Sequence, residues 1–114
     1  MAGNPIAMYG APTVVTDGAT QTWDCTTASY FQWTLGASRT HSGFSNPAAG
    51  QIVYLEAIQD ATGSRIITWP ANVSWAAGTA PTLTTTASAY DVLRFTWNPT
   101  RAKWIGETVG KAFA

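Results

Sequence analysis

The side chains most often used in catalysis are sparse in this sequence, which has one histidine, one cysteine and six carboxylates among 114 residues. With only His41 and Cys25 available, a single chain has too few ligands for the usual Cys/His zinc site. A Ser-His-Asp triad would need His41 as its base, and no serine lies in a Gly-x-Ser-x-Gly turn. We therefore expect no metal or cofactor site and no nucleophilic catalysis, and we interpret His41 as a surface histidine in a loop.

The carboxylates form no convincing catalytic pair in the sequence. Asp17 and Asp60 lie in turn segments, where an Asp side chain accepts hydrogen bonds from turn amides. Glu56 is unusual because it lies in the middle of a strongly apolar predicted strand. We predict that it pairs across the sheet with Arg65 or Arg94, and a position at a subunit interface is the alternative. A catalytic role ranks below both, so we expect the protein not to be an enzyme.

The six tryptophans are compatible with either a large core or a sugar-binding surface. Exposed indole rings stack on sugars, whereas a buried aromatic side chain removes about 150–250 Å² from water. Trp33 and Trp97 fall on predicted inward faces of strands, and a core role is favoured for any single tryptophan. Trp75, beside a Gly/Ala-rich loop, is the best candidate for exposure and for ligand contact.

Charged residues make up 11% of the chain and the formal net charge is zero, against roughly 25% charged residues in typical domains. Nucleic-acid binding needs clustered Lys and Arg, and among the basic residues only Arg101 and Lys103 lie close together. We therefore expect no nucleic-acid partner, and Arg101, at a predicted hairpin tip, is a candidate contact for another kind of partner. Two explanations of the low charge stay open: surface buried against copies or partners, or a Thr- and Ser-rich surface that water solvates without charge.

The start of the chain predicts an extended arm. Met1 to Ala11 contains glycine and proline without periodicity, and its Ile6, Met8 and Tyr9 are apolar enough to dock on a neighbouring subunit. It lacks the basic and apolar regions of a signal peptide, and the single cysteine gives no sign of an oxidising compartment. No stretch approaches the roughly 18 apolar residues that span a bilayer, so we expect no membrane partner.

Alternating apolar and polar residues predict β-strands through the rest of the chain. Ser29 to Leu35 and Tyr90 to Trp97 alternate regularly, which is typical of half-buried strands. Gln51 to Gln59 is apolar on both sides, with Tyr54 on one and Leu55 on the other, so we expect the opposing sheet to cover one side and a loop or a second subunit to cover the other. The segment from Gly36 to Gly50 reads mostly as loop, with Ser38 to His41 as a candidate edge strand.

Turn signals separate these strands and complete the fold prediction. Asp17-Gly18 predicts a tight hairpin, Asp60 to Gly63 a connection to a returning strand, and Asn98 to Arg101 a four-residue turn. No run shows helical periodicity with caps. We predict an all-β protein: a small antiparallel β-sandwich, jelly-roll-like or Ig-like, over residues 12–114, preceded by the arm 1–11; a small barrel is the alternative.

Four short motifs, in this order and spacing, resemble a pattern found in virion proteins of tailed bacteriophages, in capsid decoration proteins and tail-fibre domains. They are Asn46-Pro47 with Gly50-Gln51, Gln59-Asp60-x-Thr62-Gly63-Ser64-Arg65, Thr68-Trp69-Pro70, and Asp91-Val92-Leu93.

The resemblance implies a virion structural protein on the capsid surface, made in the cytoplasm of a bacterial host. Its implied partners are the major capsid protein and further copies of itself, as a homotrimer, and its role is to staple neighbouring shell subunits as a decoration or cement protein. A tail-fibre, receptor-binding or carbohydrate-binding module is the alternative. The candidate interface residues are Ile6, Met8, Tyr9, Tyr54, Glu56, Trp75 and Arg101.

Overall fold

The computed structural model describes residues 11–114, and within that range the chain is nearly all β. The all-β prediction is therefore confirmed at this level. The one helical element described is a three-residue 3-10 helix, Ala76–Gly78, and no helix in this range is long and apolar enough to cross a membrane. The strands are β1 (Thr13–Val14), β2 (Thr20–Asp24), β3 (Tyr30–Leu35), β4 (Arg39–Ser45), β5 (Ile52–Gln59), β6 (Ile67–Thr68), β7 (Val73–Trp75), β8 (Tyr90–Asn98) and β9 (Lys103–Phe113).

These strands form two sheets of mixed strand direction. The six-stranded sheet has the order β1-β3-β5-β8-β9-β7, and the three-stranded sheet has the order β2-β4-β6. From β1 to β7 the chain alternates between the two sheets. Each strand is therefore connected to the next strand of its own sheet by a crossover through the other sheet, and the two strands run parallel. The β7–β9 pair is parallel as well, and among the described strands only β5–β8 and β8–β9 pair antiparallel.

The prediction of an antiparallel strand arrangement is therefore wrong for most pairs. The jelly-roll and Ig strand orders do not apply, because both are built from antiparallel pairs. The Asp17-Gly18 hairpin is also wrong, since the strands on either side of it belong to different sheets. Likewise the turn after Asp60 leads into β6 of the three-stranded sheet and not back along β5.

Other local predictions hold. The turn between β8 and β9 is built as expected, with Asn98 Oδ1 accepting hydrogen bonds from the amides of Thr100 and Arg101. Asp60 Oδ1 accepts the amide hydrogens of Thr62 and Gly63, as its turn role predicted.

One further local prediction is wrong. The segment after Gly36 was expected to be mostly loop, but it contains β4, the central strand of the three-stranded sheet.

Aromatic side chains fill the space between the two sheets. Trp23 of β2 stacks on Phe31 at 4.8 Å and meets Trp33 edge-on at 5.2 Å. Phe44 of β4 packs against Trp104 at 5.0 Å. The two sheets are thus joined by side chains and not by a shared hydrogen-bond ladder. The hydrophobic residues of this core with 0% exposure are Trp33, Leu35, Val53, Leu55, Leu93, Phe95 and Trp104.

Candidate interaction surface

The side of the six-stranded sheet that faces away from the core brings two of the predicted site residues together, and we call it the outer face. Strand alternation places Tyr54 and Glu56 there, because their neighbours Val53, Leu55 and Ala57 are buried in the core. The pairing register then defines the remaining members. They include Val14, Tyr30, Gln32, Ile52, Ile58, Tyr90, Val92, Arg94, Ile105, Glu107 and Phe113, together with the hydroxyl residues Thr34, Ser74 and Thr96.

Glu56 lies at the centre of the outer face and is held by two polar neighbours on β3. Its Oε2 accepts a hydrogen bond from the Tyr30 hydroxyl at 2.5 Å, and its Oε1 accepts one from Gln32 Nε2 at 3.3 Å. The predicted pairing of Glu56 with Arg65 or Arg94 is wrong. Those arginines pair with Asp60 and Glu107 instead.

Tyr30 stays a hydrogen-bond donor over a wide pH range. Burial, followed by the hydrogen bond to Glu56 and the charge of that carboxylate, raises the pKa of Tyr30 to about 12. The phenol ring also stacks on Tyr54, with centroids 5.9 Å apart. The polar groups of Tyr30, Gln32 and Glu56 therefore satisfy one another within the face.

The other charges of the outer face are paired across β8 and β9. Arg94 lies opposite Glu107 in the register, and its Nη2 is 2.8 Å from Glu107 Oε1. The hydrogen bonds to Glu107 and to Tyr54 raise the pKa of Arg94 above its ordinary value. With both charges paired inside the face, a partner need not supply a counter-charge for either.

The rest of the outer face combines aliphatic and aromatic residues with the hydroxyls of Thr34, Ser74 and Thr96. Val14 is 76% exposed, Ile105 43% and Phe113 42%. Phe113 stacks on Tyr90 at 5.3 Å, and its ring lies over Gly110, where a Cβ would come within 2.6 Å of it. The glycine is thus required for this close packing, which keeps the aromatic pair against the sheet.

The opposite surface of the molecule has a different chemistry. On the side of the three-stranded sheet that faces away from the core, Thr20, Thr40 and Thr68 are aligned in register, and all three are exposed. Thr22 and Ser42 are exposed beside them. The explanation of the low charge by a hydroxyl-rich surface matches this side of the molecule. The outer face, which is half apolar, is the surface that the other explanation would need to be buried.

The remaining predicted site residues lie away from the outer face. Trp75 is half-buried against the core, 5.3 Å from Trp69, with its ring over Gly106. Trp75 is thus only partly exposed, whereas its sequence context made it the best candidate for exposure. Arg101 is exposed in the β8–β9 turn. Ile6, Met8 and Tyr9 lie outside the described residues.

His41 is placed in the structure in a way that the sequence did not indicate. It was expected on the surface in a loop, but it lies on β4 with 0% exposure, among the aromatic residues of the core. Burial lowers the pKa of His41 to about 4, so the imidazole is neutral at pH 7. Residues 11–114 contain no group of three or more His, Cys, Asp and Glu side chains arranged to hold a metal ion.

Comparison with known proteins gives no relative from which a role can be transferred: no family model, no curated protein and no solved structure matches the chain. The outer face must therefore be interpreted from its own chemistry. Aromatic residues are enriched and charged residues depleted at the centres of protein–protein interfaces. A sheet face with this composition, on which Arg94 pairs with Glu107 and Glu56 is hydrogen-bonded by Tyr30 and Gln32, is suited to contact another protein.

Proposed function

We propose that this protein is a virion structural protein, a decoration or cement protein that binds the outside of a bacteriophage capsid shell and staples neighbouring shell subunits. We also propose that its two sheets form a β-sandwich of mixed strand direction. Support for the sandwich comes from the aromatic contacts that join the sheets, such as Trp23 with Trp33. Support for the role comes from the sequence resemblance and from the surface chemistry.

The main support for the proposal is the contrast between the outer face and the hydroxyl-rich side of the three-stranded sheet. A decoration subunit has one side against the shell and the other against water. The outer face, with Ile105, Tyr54 and Phe113, is suited to the first of these environments. The exposed hydroxyls of Thr20, Thr40 and Thr68 are suited to the second. A stable contact typically buries about 800 Å² on each partner, and many modest contacts of this kind add up over a shell.

The proposal includes further copies of the chain, in a homotrimer, as partners beside the major capsid protein. The arm Met1 to Ala11 is the proposed contact with a neighbouring subunit, through Ile6, Met8 and Tyr9. Support comes from the sequence of the arm, whose apolar side chains lie among glycine and proline, and from the exposure of Ala11 and Pro12 beside β1, an edge strand of the six-stranded sheet.

The first experiment counts copies of the chain in purified virions by quantitative peptide analysis against the major shell protein. A number comparable with that of the shell protein supports a lattice role. A handful of copies supports a tail or fibre position, and complete absence contradicts the virion role.

A second experiment tests the surface itself with matched variants. Ile105→Glu places a charge on the outer face, and Thr22→Glu places the same charge on the hydroxyl-rich side. Both residues are exposed, so both variants should fold, and circular dichroism with thermal melting checks this. We expect Ile105→Glu to reduce sedimentation with undecorated shells at least tenfold and Thr22→Glu to leave it unchanged. Equal binding by the two variants contradicts the assignment of the outer face.

The alternative function is a receptor-binding or carbohydrate-binding module. One observation favours it: Tyr54, Glu56 and Gln32 bring an aromatic ring, a carboxylate and an amide together on the outer face. Binding of glycans on an array by the wild type, lost in Tyr54→Ala and kept in Thr22→Ala, would support this module. Trp75→Ala is a poor test, because the indole packs against Trp69 and the core and its loss leaves a cavity.

A further inference from the structure

His41 lies where the two sheets meet. Its ring centroid is 4.6 Å from that of Trp23 and 4.7 Å from that of Phe44, both in the three-stranded sheet. It is 6.2 Å from that of Trp33, which belongs to the six-stranded sheet, and 5.7 Å from that of Trp69, which follows β6. The imidazole is thus part of the contact that holds one sheet against the other.

Neither ring nitrogen of His41 has a hydrogen-bond partner. A neutral imidazole carries one N–H, so this group is buried without an acceptor, which is energetically unfavourable. The aromatic residues around it offer no carboxylate or carbonyl oxygen from their side chains. Protonation would add a second unpartnered N–H and a buried positive charge.

The titratable and charged groups on the elements packed against His41 are engaged elsewhere. Asp17, which accepts a hydrogen bond from Trp33 Nε1, forms an ion pair with Arg39 of β4. The thiol of Cys25, at the end of β2, donates to the carbonyl of Ser45. Within the described residues no charged group is positioned to compensate an imidazolium ion.

We propose that His41 is an acid-sensitive contact between the sheets, and that proton uptake by its imidazole in mildly acidic solution separates the three-stranded sheet from the six-stranded sheet. The three-stranded sheet is the part that yields. It has only three strands, of which β6 has two residues, and it shares no backbone ladder with the larger sheet. Elements held mainly by side-chain packing open locally at a lower free-energy cost than the whole fold. This inference does not depend on the proposed role in a virion.

The pH range of this effect follows from the thermodynamic linkage between proton binding by His41 and opening of the contact between the sheets. The pKa of His41 is about 4 when the residue is buried, against its ordinary value of 6.5, so the open state binds the proton more readily. The contact is fully stable above pH 6.5 and loses stability as the pH falls towards 4. The opening equilibrium constant should rise roughly 70-fold between pH 7.5 and pH 4.5.

Three of the aspartates, Asp17, Asp24 and Asp60, titrate mainly below this window. Hydrogen bonds from Arg39 and Trp33 lower the pKa of Asp17, although burial opposes them. Hydrogen bonds from Thr26 lower the pKa of Asp24, and those from Arg65 and Gly63 lower that of Asp60. The stability that these carboxylates contribute is therefore lost only below their ordinary pKa of 3.8.

Hydrogen exchange read by mass spectrometry, corrected for the intrinsic effect of pH, tests the proposal on the full chain. Between pH 7.5 and pH 4.5 we expect the amides of β2 and β4 to lose protection, while those of β5 and β8 keep theirs. His41→Phe preserves an aromatic ring that cannot be protonated, so its protection should not change with pH. The same pH dependence in His41→Phe, a flat profile in the wild type, or equal loss in β5 and β8 each overturns the proposal.

A second measurement covers the case in which His41→Phe fails to fold. His41 is the only histidine in the chain, so its ring protons give a unique set of NMR signals in the wild type. In the native state these signals should not titrate near pH 6.5, and a second set from the open state should grow as the pH falls. A native signal that titrates near pH 6.5 without a second set contradicts an acid-sensitive contact.

Discussion

The Tyr30 hydroxyl donates a 2.5 Å hydrogen bond to Glu56 Oε2 across the parallel β3–β5 pair. This contact explains how a carboxylate is accommodated in the middle of an otherwise apolar strand without a basic partner. Gln32 completes the arrangement from the same strand as Tyr30. The outer face thereby holds Glu56 in a fixed geometry, which suits the docking role proposed for this surface.

Removing the Tyr30 hydroxyl should weaken the fold. Tyr30→Phe keeps the ring that stacks on Tyr54 and deletes only the donor, so we expect the free energy of unfolding to fall by about 1 kcal/mol. Urea denaturation at pH 7 measures this loss in the free energy of unfolding. In the Glu56→Gln background the same substitution should cost less than half as much, and an equal cost in both backgrounds would show that the hydrogen bond does not contribute.

Ionisation of Tyr30 provides a pH-dependent test of the same contact. The pKa of Tyr30 is raised to about 12, so the stability linked to it is fully present below pH 10 and is lost as the pH rises through 12. Glu56→Gln removes the carboxylate charge and should move the Tyr30 titration back towards 10, as followed by phenolate absorbance. An unchanged titration in Glu56→Gln would contradict the role of that carboxylate.

Asp17 should contribute more stability than an exposed ion pair. Its carboxylate accepts hydrogen bonds from Trp33 Nε1 at 2.9 Å and from the Gly36 amide at 3.0 Å, and it pairs with Arg39 at 2.6 Å. Asp17→Asn should lower the free energy of unfolding by about 2 kcal/mol. Glu107→Gln, which breaks the exposed pair with Arg94, is the control and should cost less than about 0.5 kcal/mol. Comparable losses in thermal stability would contradict this ranking.

Gly106 should not tolerate even a methyl group. A Cβ at this position would lie 2.5 Å from the Trp75 ring, and the indole is itself packed against Trp69 and Phe95. Gly106→Ala should therefore destabilise the protein by about 1–3 kcal/mol through overpacking. Gly18→Ala is the control, because its Cβ would meet only the end of the Gln21 side chain, at 3.2 Å. A small effect of Gly106→Ala in thermal melting would mean that Trp75 moves freely.

Deleting the arm, Met1 to Ala11, tests its proposed role. The residues that follow it have a hydrophobic core of their own, so the shortened chain should keep the melting temperature of the full chain within a few degrees. We expect its sedimentation with undecorated shells to fall at least tenfold. Replacing Ile6, Met8 and Tyr9 together by serine should have the same effect at full length. Unchanged association in both variants would remove the arm from the proposal.

Local pattern was enough to predict the strands at β3, β5 and β8 and, for β3 and β8, the side that faces the core, whereas most of β4 was read as loop. In β3, the alternation of Phe31, Trp33 and Leu35 with polar residues correctly predicted the buried side, because side chains of a strand alternate between its two faces. The β8–β9 hairpin was predictable for a similar reason, since the Asn98 turn acts over a few residues. The same local logic located Tyr54 and Glu56 on one face of β5.

Only the tertiary structure decided which strands pair and what surrounds each polar group. Pairing in parallel, as in β3 with β5, depends on crossovers through the other sheet, and no short motif encodes such a contact. The partner of Glu56 is therefore Tyr30 and not an arginine. His41 likewise gave no local sign of burial, because its environment is assembled from Trp23, Trp33 and Trp69 on separate elements. Residue types and their period determined the class of this protein, and long-range packing determined its two contrasting surfaces.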